Sequence, residues 1–202
     1  MLFLTSQAYN VLHRLIPLLK DKPENLSVAF IPTAADLYKE RPWMDDDRNK
    51  LVELGFNVFD LDLKNKNEED LKKILSNVNL IFVAGGNTFY LLEKCRKSGF
   101  DKLIRQLLDR GVVYIGSSAG SVIAGPDIEA VKDFDDPDEA NLESTTGFGL
   151  VNFVTLPHFK NAKYSTLHDK VIKEYGKKYN IIPITDQQAV LVQDTKNQVI
   201  EA

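Results

Sequence analysis

Cysteine is nearly absent from this chain of 202 residues. The single Cys95 has no neighbouring Cys or His at a ligand spacing, so neither an internal disulfide nor a zinc cluster is supported. Positive charge is not in excess either. Lys and Arg number 25 against 29 Asp and Glu, a net charge of -4, and no stripe of basic residues interleaved with aromatics is found; nucleic acid is not expected as a partner. Long apolar runs are missing, none approaching the roughly 18 residues that a membrane span needs. The N-terminal stretch MLFLTSQAYNVLHRLIPLLK has no basic segment ahead of its apolar residues and so does not read as a signal peptide. These absences point to the cytoplasm and away from membranes. What the chain does have is 44% hydrophobic residues, enough for a packed core, and a length that at about 150 residues per domain suggests a single domain over 1–202.

Short β-branched and aromatic runs alternate with longer segments of helical period, the pattern of parallel strands joined by crossover helices. Strands are expected at 2–5, 27–32, 56–63, 79–84, 112–116 and 152–157, with closing strands at 180–184, 189–193 and 198–201. The 79–84 stretch, NLIFVA, is apolar almost throughout, as burial on both faces demands, whereas 56–63 alternates and belongs nearer an edge. Tyr9, Leu12, Leu15, Ile16 and Leu19 recur at three- and four-residue spacing and predict a first helix. Further helices are expected at 45–54, where the Arg41-Pro42 pair breaks any longer one, and at 68–75, 88–97, 101–110 and 162–179. The fold class is α/β, with a mainly parallel sheet.

Gly116-Ser117-Ser118-Ala119-Gly120 satisfies G-x-S-x-G in one frame, directly after a buried strand and before a short helix. Such an elbow needs small residues on both sides because the turn is sharp, and it lifts the Ser118 hydroxyl above the sheet. It also aims the Ala119 amide at an oxyanion formed on attack, assisted by the positive end of the following helix. The bland alternative is a strand-to-helix turn whose serines cap the helix. A second glycine turn, Ala84-Gly85-Gly86-Asn87-Thr88, also follows a buried strand, and if the two strands are neighbours their C-terminal ends meet, where open sheets place their sites. Gly86 then supplies the second oxyanion amide. A mononucleotide phosphate turn is weakened by the missing third glycine and the missing P-loop Lys. Asn87 has two readings, orienting substrate at the rim or capping the helix that opens at Thr88.

A serine hydroxyl needs a general base, most often imidazole. Of three histidines, His13 lies in the first helical segment and His168 in a Lys-rich helix; His158 follows Pro157 at the end of the strand NFVTLP, on the edge where Ser118 emerges. His158 is therefore the expected base. The acid is over-supplied, because Asp127, Glu129, Asp133, Asp135, Asp136, Asp138, Glu139 and Glu143 crowd one segment between Ser118 and His158. Most are expected to be solvated. Phe56, Phe59, Phe82, Phe89 and Tyr90 read as core, and Trp43 as either a loop over the site or a contact in a homodimer.

The stretches SVAFIPTAA, IFVAGGNTFYLL, GVVYIGSSAGSVIAG and LPHF, in this order, resemble the aspartyl dipeptidase (dipeptidase E) and cyanophycinase-like family of serine peptidases, a branch of the flavodoxin-like class that includes class I glutamine amidotransferases. The resemblance runs through most of the chain. It implies a three-layer fold and a hydrolase of short peptides that uses no cofactor or metal, with Ser118 as nucleophile, His158 as base and Gly86 and Ala119 as oxyanion donors. It puts the acid fifteen residues beyond the nucleophile, at Asp133, with Glu129, Asp135 and Asp136 close enough to replace it. In those dipeptidases a preference for N-terminal aspartate goes with a basic residue after the PHF motif. Here FKNAKYSTLHDK offers Lys160, Lys163 and Lys170 but no Arg, so that preference does not follow. Two other functions share these features: hydrolysis of β-linked aspartyl-arginine chains, and a binding or regulatory role that keeps the elbow without turnover.

Overall fold

The structure, a computed structural model, describes residues 1–194 and 196–202. Its main sheet is built from β1 (Leu2–Thr5), β2 (Ser27–Ile31), β3 (Asn57–Asp60), β4 (Leu80–Val83), β5 (Val113–Ser117), β8 (Gln188–Gln193) and β9 (Lys196–Glu201), in the order β3-β2-β4-β5-β1-β8-β9. The first five strands are parallel to one another, while β8 runs antiparallel to β1 and β9 antiparallel to β8. The four-residue β3 lies at one edge, in agreement with its alternating sequence. β4 and β5 are adjacent, with Val83 beside Gly116, so the two glycine turns leave the sheet side by side.

Two apolar layers cover the sheet. One holds residues from α3 (Glu68–Ile74), α4 (Thr88–Ser98) and α5 (Phe100–Asp109), among them Leu71, Leu92, Leu103 and Ile104; the other takes Val11 of α1 (Ala8–Val11) and Met44 and Leu51 of α2 (Pro42–Glu53). Helices on both faces make the expected three-layer α/β arrangement. On the second face Phe30 and Phe82 stack with ring centroids 5.0 Å apart.

Three expectations shift. The first helix is α-helical only over α1 and tightens to a 3-10 form from Leu12 to Leu18, a stretch that contains Pro17, whose ring in a continued α-helix would crowd the carbonyl four residues earlier. Pro42 does not break a helix but starts one, occupying the first position of α2 where its fixed φ suits the helix and its missing N–H costs nothing. The segments read as strands at 152–157 and 180–184 do form β6 (Val154–Leu156) and β7 (Ile181–Pro183), but as a separate parallel pair outside the main sheet. Val154 and Leu156 instead pack with Val171 and Tyr175 of α7 (Ser165–Tyr175). Among the described residues no helix is long and apolar enough to cross a membrane.

Candidate active site

The elbow works by close packing. A Cβ on Gly116 would lie 2.5 Å from the Gly120 carbonyl oxygen, and one on Gly120 would collide with the Val83 carbonyl oxygen, so both flanking positions need glycine. Tyr114, fully buried, donates its hydroxyl to the Gly120 carbonyl at 2.6 Å and fixes the turn from below. Between them Ser118 has φ 48°, a strained backbone that the Ser118 N–H to Thr5 carbonyl bond (3.0 Å) helps to hold. The helix that follows, α6 (Ala119–Val122), is a single turn. Its dipole is correspondingly small, so the assistance expected from a helix end reduces to the Ala119 amide itself.

Ser118 Oγ lies 3.0 Å from His158 Nε2. His158 follows β6 and has φ 59°, and its N–H donates to Ser6 Oγ at 2.8 Å. Its Nδ1 is 2.7 Å from Oδ1 of Asp186, a residue three positions beyond β7. Ser6 Oγ, 3.2 Å from Nδ1, also donates to Asp186 Oδ1 at 2.7 Å. Asn161 Nδ2 reaches the other carboxylate oxygen at 3.3 Å, and Asn10 Nδ2 holds the Asp186 carbonyl at 2.9 Å. Partial burial works to raise the Asp186 carboxyl, but the hydrogen bonds from His158 and Ser6 outweigh it and hold it down at about 2. A carboxylate ionised at neutral pH takes the Nδ1 proton and leaves Nε2 as the acceptor facing the serine. From behind, buried His168 meets the Pro157 carbonyl through Nε2 at 2.9 Å and steadies the segment that carries the base.

Asp133, expected as the acid, is elsewhere: it forms an ion pair with Lys170 at 2.8 Å. Glu129 pairs with Lys178, and Asp136 accepts from the Asp138 N–H. Asp135 accepts from the N–H and hydroxyl of Thr88 at 2.9 and 2.5 Å. The partner of His158 is thus Asp186, downstream of the histidine rather than between it and the serine. Neither Asp186 nor Ser6 was anticipated from the sequence. The available signal was position: each follows a strand end, like Ser118 and His158.

Gly86 has φ 148°, and a Cβ there would strike the Ala34 carbonyl. Neither its N–H nor that of Ala119 meets an acceptor among the described residues. Asn87 is almost fully buried, its Oδ1 accepting from Tyr90 N–H at 2.9 Å and its Nδ2 donating to the Asp136 carbonyl at 2.8 Å. Of its two readings, the structure realises the helix cap. Trp43 is a wall of the site, with Nε1 donating to the Gly85 carbonyl at 3.3 Å and Tyr38 edge-on at 5.3 Å. With Tyr9, Phe134 and Tyr164 these residues enclose a cavity of about 590 Å³ over Ser118 and His158.

The family model for peptidase family S51 matches residues 2–200. The chain belongs to this family. Among S51 relatives, an uncharacterized peptidase of Listeria innocua is 35% identical over 197 residues, covering 96% of this chain and 92% of the relative. A peptidase E of Shigella flexneri is 31% identical over 155 residues, 75% of this chain and 63% of that protein. A crystal structure of a protein of the peptidase E type from Listeria monocytogenes EGD-e superposes with a TM-score of 0.93 at 31% identity, covering 100% of this chain and 98% of that one. This S51 chain is a serine hydrolase, with Ser118, His158 and Asp186 in the geometry of a catalytic triad.

Proposed function

We propose that the protein cleaves the amide bond of short peptides through an acyl-enzyme on Ser118. The observation that carries this reading is the unbroken path Ser118 Oγ to His158 to Asp186, opening on a cavity of about 590 Å³. That volume lies within the range typical of small-molecule sites, about 300–1,000 Å³, and suits a dipeptide or tripeptide rather than a folded chain. His158 Nε2 takes the Ser118 proton as Oγ attacks the scissile carbonyl carbon. The imidazolium that forms is stabilised by Asp186, and the amides of Gly86 and Ala119 receive the oxyanion. Collapse of the tetrahedral species breaks the C–N bond, and His158 gives its proton to the departing amine. Water, deprotonated by the same imidazole, then attacks the ester, and Ser118 recovers its proton.

A fluorophosphonate probe tests the nucleophile, and dipeptide hydrolysis tests the substrate class. The wild type should take the label and release free amino acids, and Ser118→Ala should do neither. A wild type that labels but cleaves no dipeptide would refute the peptide reading while leaving the hydrolase intact.

A further inference from the structure

Two successive residues at the end of β1 hold the two reacting side chains. Thr5 pairs with Ser117 across the sheet, gives its hydroxyl to the Gly116 carbonyl at 2.8 Å and takes the Ser118 N–H on its own carbonyl at 3.0 Å. Ser6, only 1% exposed, takes the His158 N–H on its hydroxyl oxygen at 2.8 Å. Nucleophile and base are 40 residues apart in the chain, yet their main chains are tied to strand-end residues separated by one peptide bond. The 3.0 Å gap between Ser118 Oγ and His158 Nε2 is thus set from β1.

The Ser6 hydroxyl does more than hold main chain. It carries one proton, and Asp186, ionised at neutral pH, only accepts, so that proton goes to Oδ1 at 2.7 Å. The oxygen is left with lone pairs for His158: it accepts the main-chain N–H and faces Nδ1 at 3.2 Å. The bonds close a ring, from the His158 N–H to Ser6, from Ser6 to Asp186 and from Asp186 back to His158 Nδ1. His158 has φ 59°, a main-chain conformation uncommon for a residue with a side chain, and the ring holds it there. An imidazole gripped at both its main chain and Nδ1, by groups that are bonded to each other, has little freedom to swing away from Ser118.

We propose that Ser6 is a positioning residue of the hydrolytic machinery, its hydroxyl locking His158 and Asp186 into one unit with the proton on Nδ1 and Nε2 aimed at Ser118. The inference rests on the acyl-enzyme reading above and is independent of which acyl group is cleaved. Ser6 acts on the reaction only through the imidazole, so its contribution should vanish when the imidazole is removed.

Ser6→Ala removes the hydroxyl and little else. On alanine p-nitroanilide kcat should fall about 10- to 100-fold with KM within about twofold, because an imidazole displaced by about 1 Å, or short of a charge-assisted bond, loses that much. The rate of fluorophosphonate labelling should fall by a similar factor, and it carries the comparison if the anilide is not cleaved. The same substitution is then made in a His158→Ala background, where residual reaction comes from the oxyanion amides and binding alone. There Ser6→Ala should cost less than about twofold. Equal loss in both backgrounds would make Ser6 a structural support of the elbow or cavity and overturn the proposal. Ser6→Cys, similar in shape but a weak donor and acceptor, should fall between wild type and Ser6→Ala, and it replaces the alanine variant if that one does not fold. A labelled wild type whose rates are unchanged by Ser6→Ala overturns this inference alone, whereas an unlabelled wild type overturns the hydrolase reading with it.

Discussion

Replacing Asp186 by Asn separates the acid that the fold delivers to His158 from the one expected fifteen residues after the nucleophile. The wild-type carboxylate accepts the Nδ1 proton at 2.7 Å and leaves Nε2 free to take the serine proton. An asparagine amide group turned toward Nδ1 donates there instead, which moves the imidazole proton to Nε2 and points it at Ser118, where a base is required. Loss of the correct tautomer costs about 10³- to 10⁴-fold in kcat in serine enzymes built on this arrangement, equivalent to about 4–5.5 kcal/mol in the barrier. Ser6 Oγ, 3.2 Å from Nδ1, can accept that proton once the carboxylate is gone, so Asp186→Ala should fall less far than Asp186→Asn. Asp133→Asn removes only the ion pair with Lys170 and should leave kcat/KM within about twofold. Steady-state kinetics on a dipeptide p-nitroanilide, with active-site titration of each variant, reads all three. A crippled Asp133→Asn beside a nearly wild-type Asp186→Asn would refute the assignment.

Three further outcomes are expected. Ser118→Gly should abolish turnover yet raise stability by about 1 kcal/mol, because glycine accepts φ 48° without strain; at this chain length thermal melts should rise by about 2–4 °C, and an unchanged or lower Tm would deny stored strain at the elbow. Gly86→Ala should lower both solubility and Tm, since its Cβ has no space against the Ala34 backbone; a folded and active variant would count against the tight turn. Burial pushes the Asp47 carboxyl up to about 7, against the bonds from Ser117 and Tyr9. The folded chain therefore holds a proton that the unfolded chain has released, and wild-type stability should fall as pH rises from about 4 through about 7, by about 2–3 kcal/mol between pH 5 and 8. Denaturant titrations of Asp47→Asn should show that part of the slope gone, and an identical slope in both proteins would refute the assignment of the proton to this group.

Much of the active-site edge is legible in local sequence. GSSAG needs its two glycines because neighbouring backbone lies within collision distance of any Cβ, a constraint that leaves its mark on the pentapeptide itself. His158 is recoverable because a histidine at a strand end on the catalytic edge has few structural duties there. The 3-10 stretch from Leu12 to Leu18 was less legible: apolar spacing suggested a regular helix, but the stretch contains Pro17, whose ring would crowd an α-helical carbonyl four residues earlier. The separate β6–β7 pair was hidden for another reason, since strand composition carries no statement of which sheet a strand joins.

Short-range sterics and the demand for burial already write into the chain the alternation of strands and helices, the sharp turn around Ser118 and the glycine-rich neighbour that opens α4. The choice of acid came from long-range folding alone. Many carboxylates lay along the chain, and long-range contacts distributed them: Lys170 took Asp133, Lys178 took Glu129 and Thr88 took Asp135, while the parallel pairing of β6 with β7 carried Asp186 across 28 residues to the imidazole. A charged side chain can serve any partner within reach, and what lies within reach is set by folding.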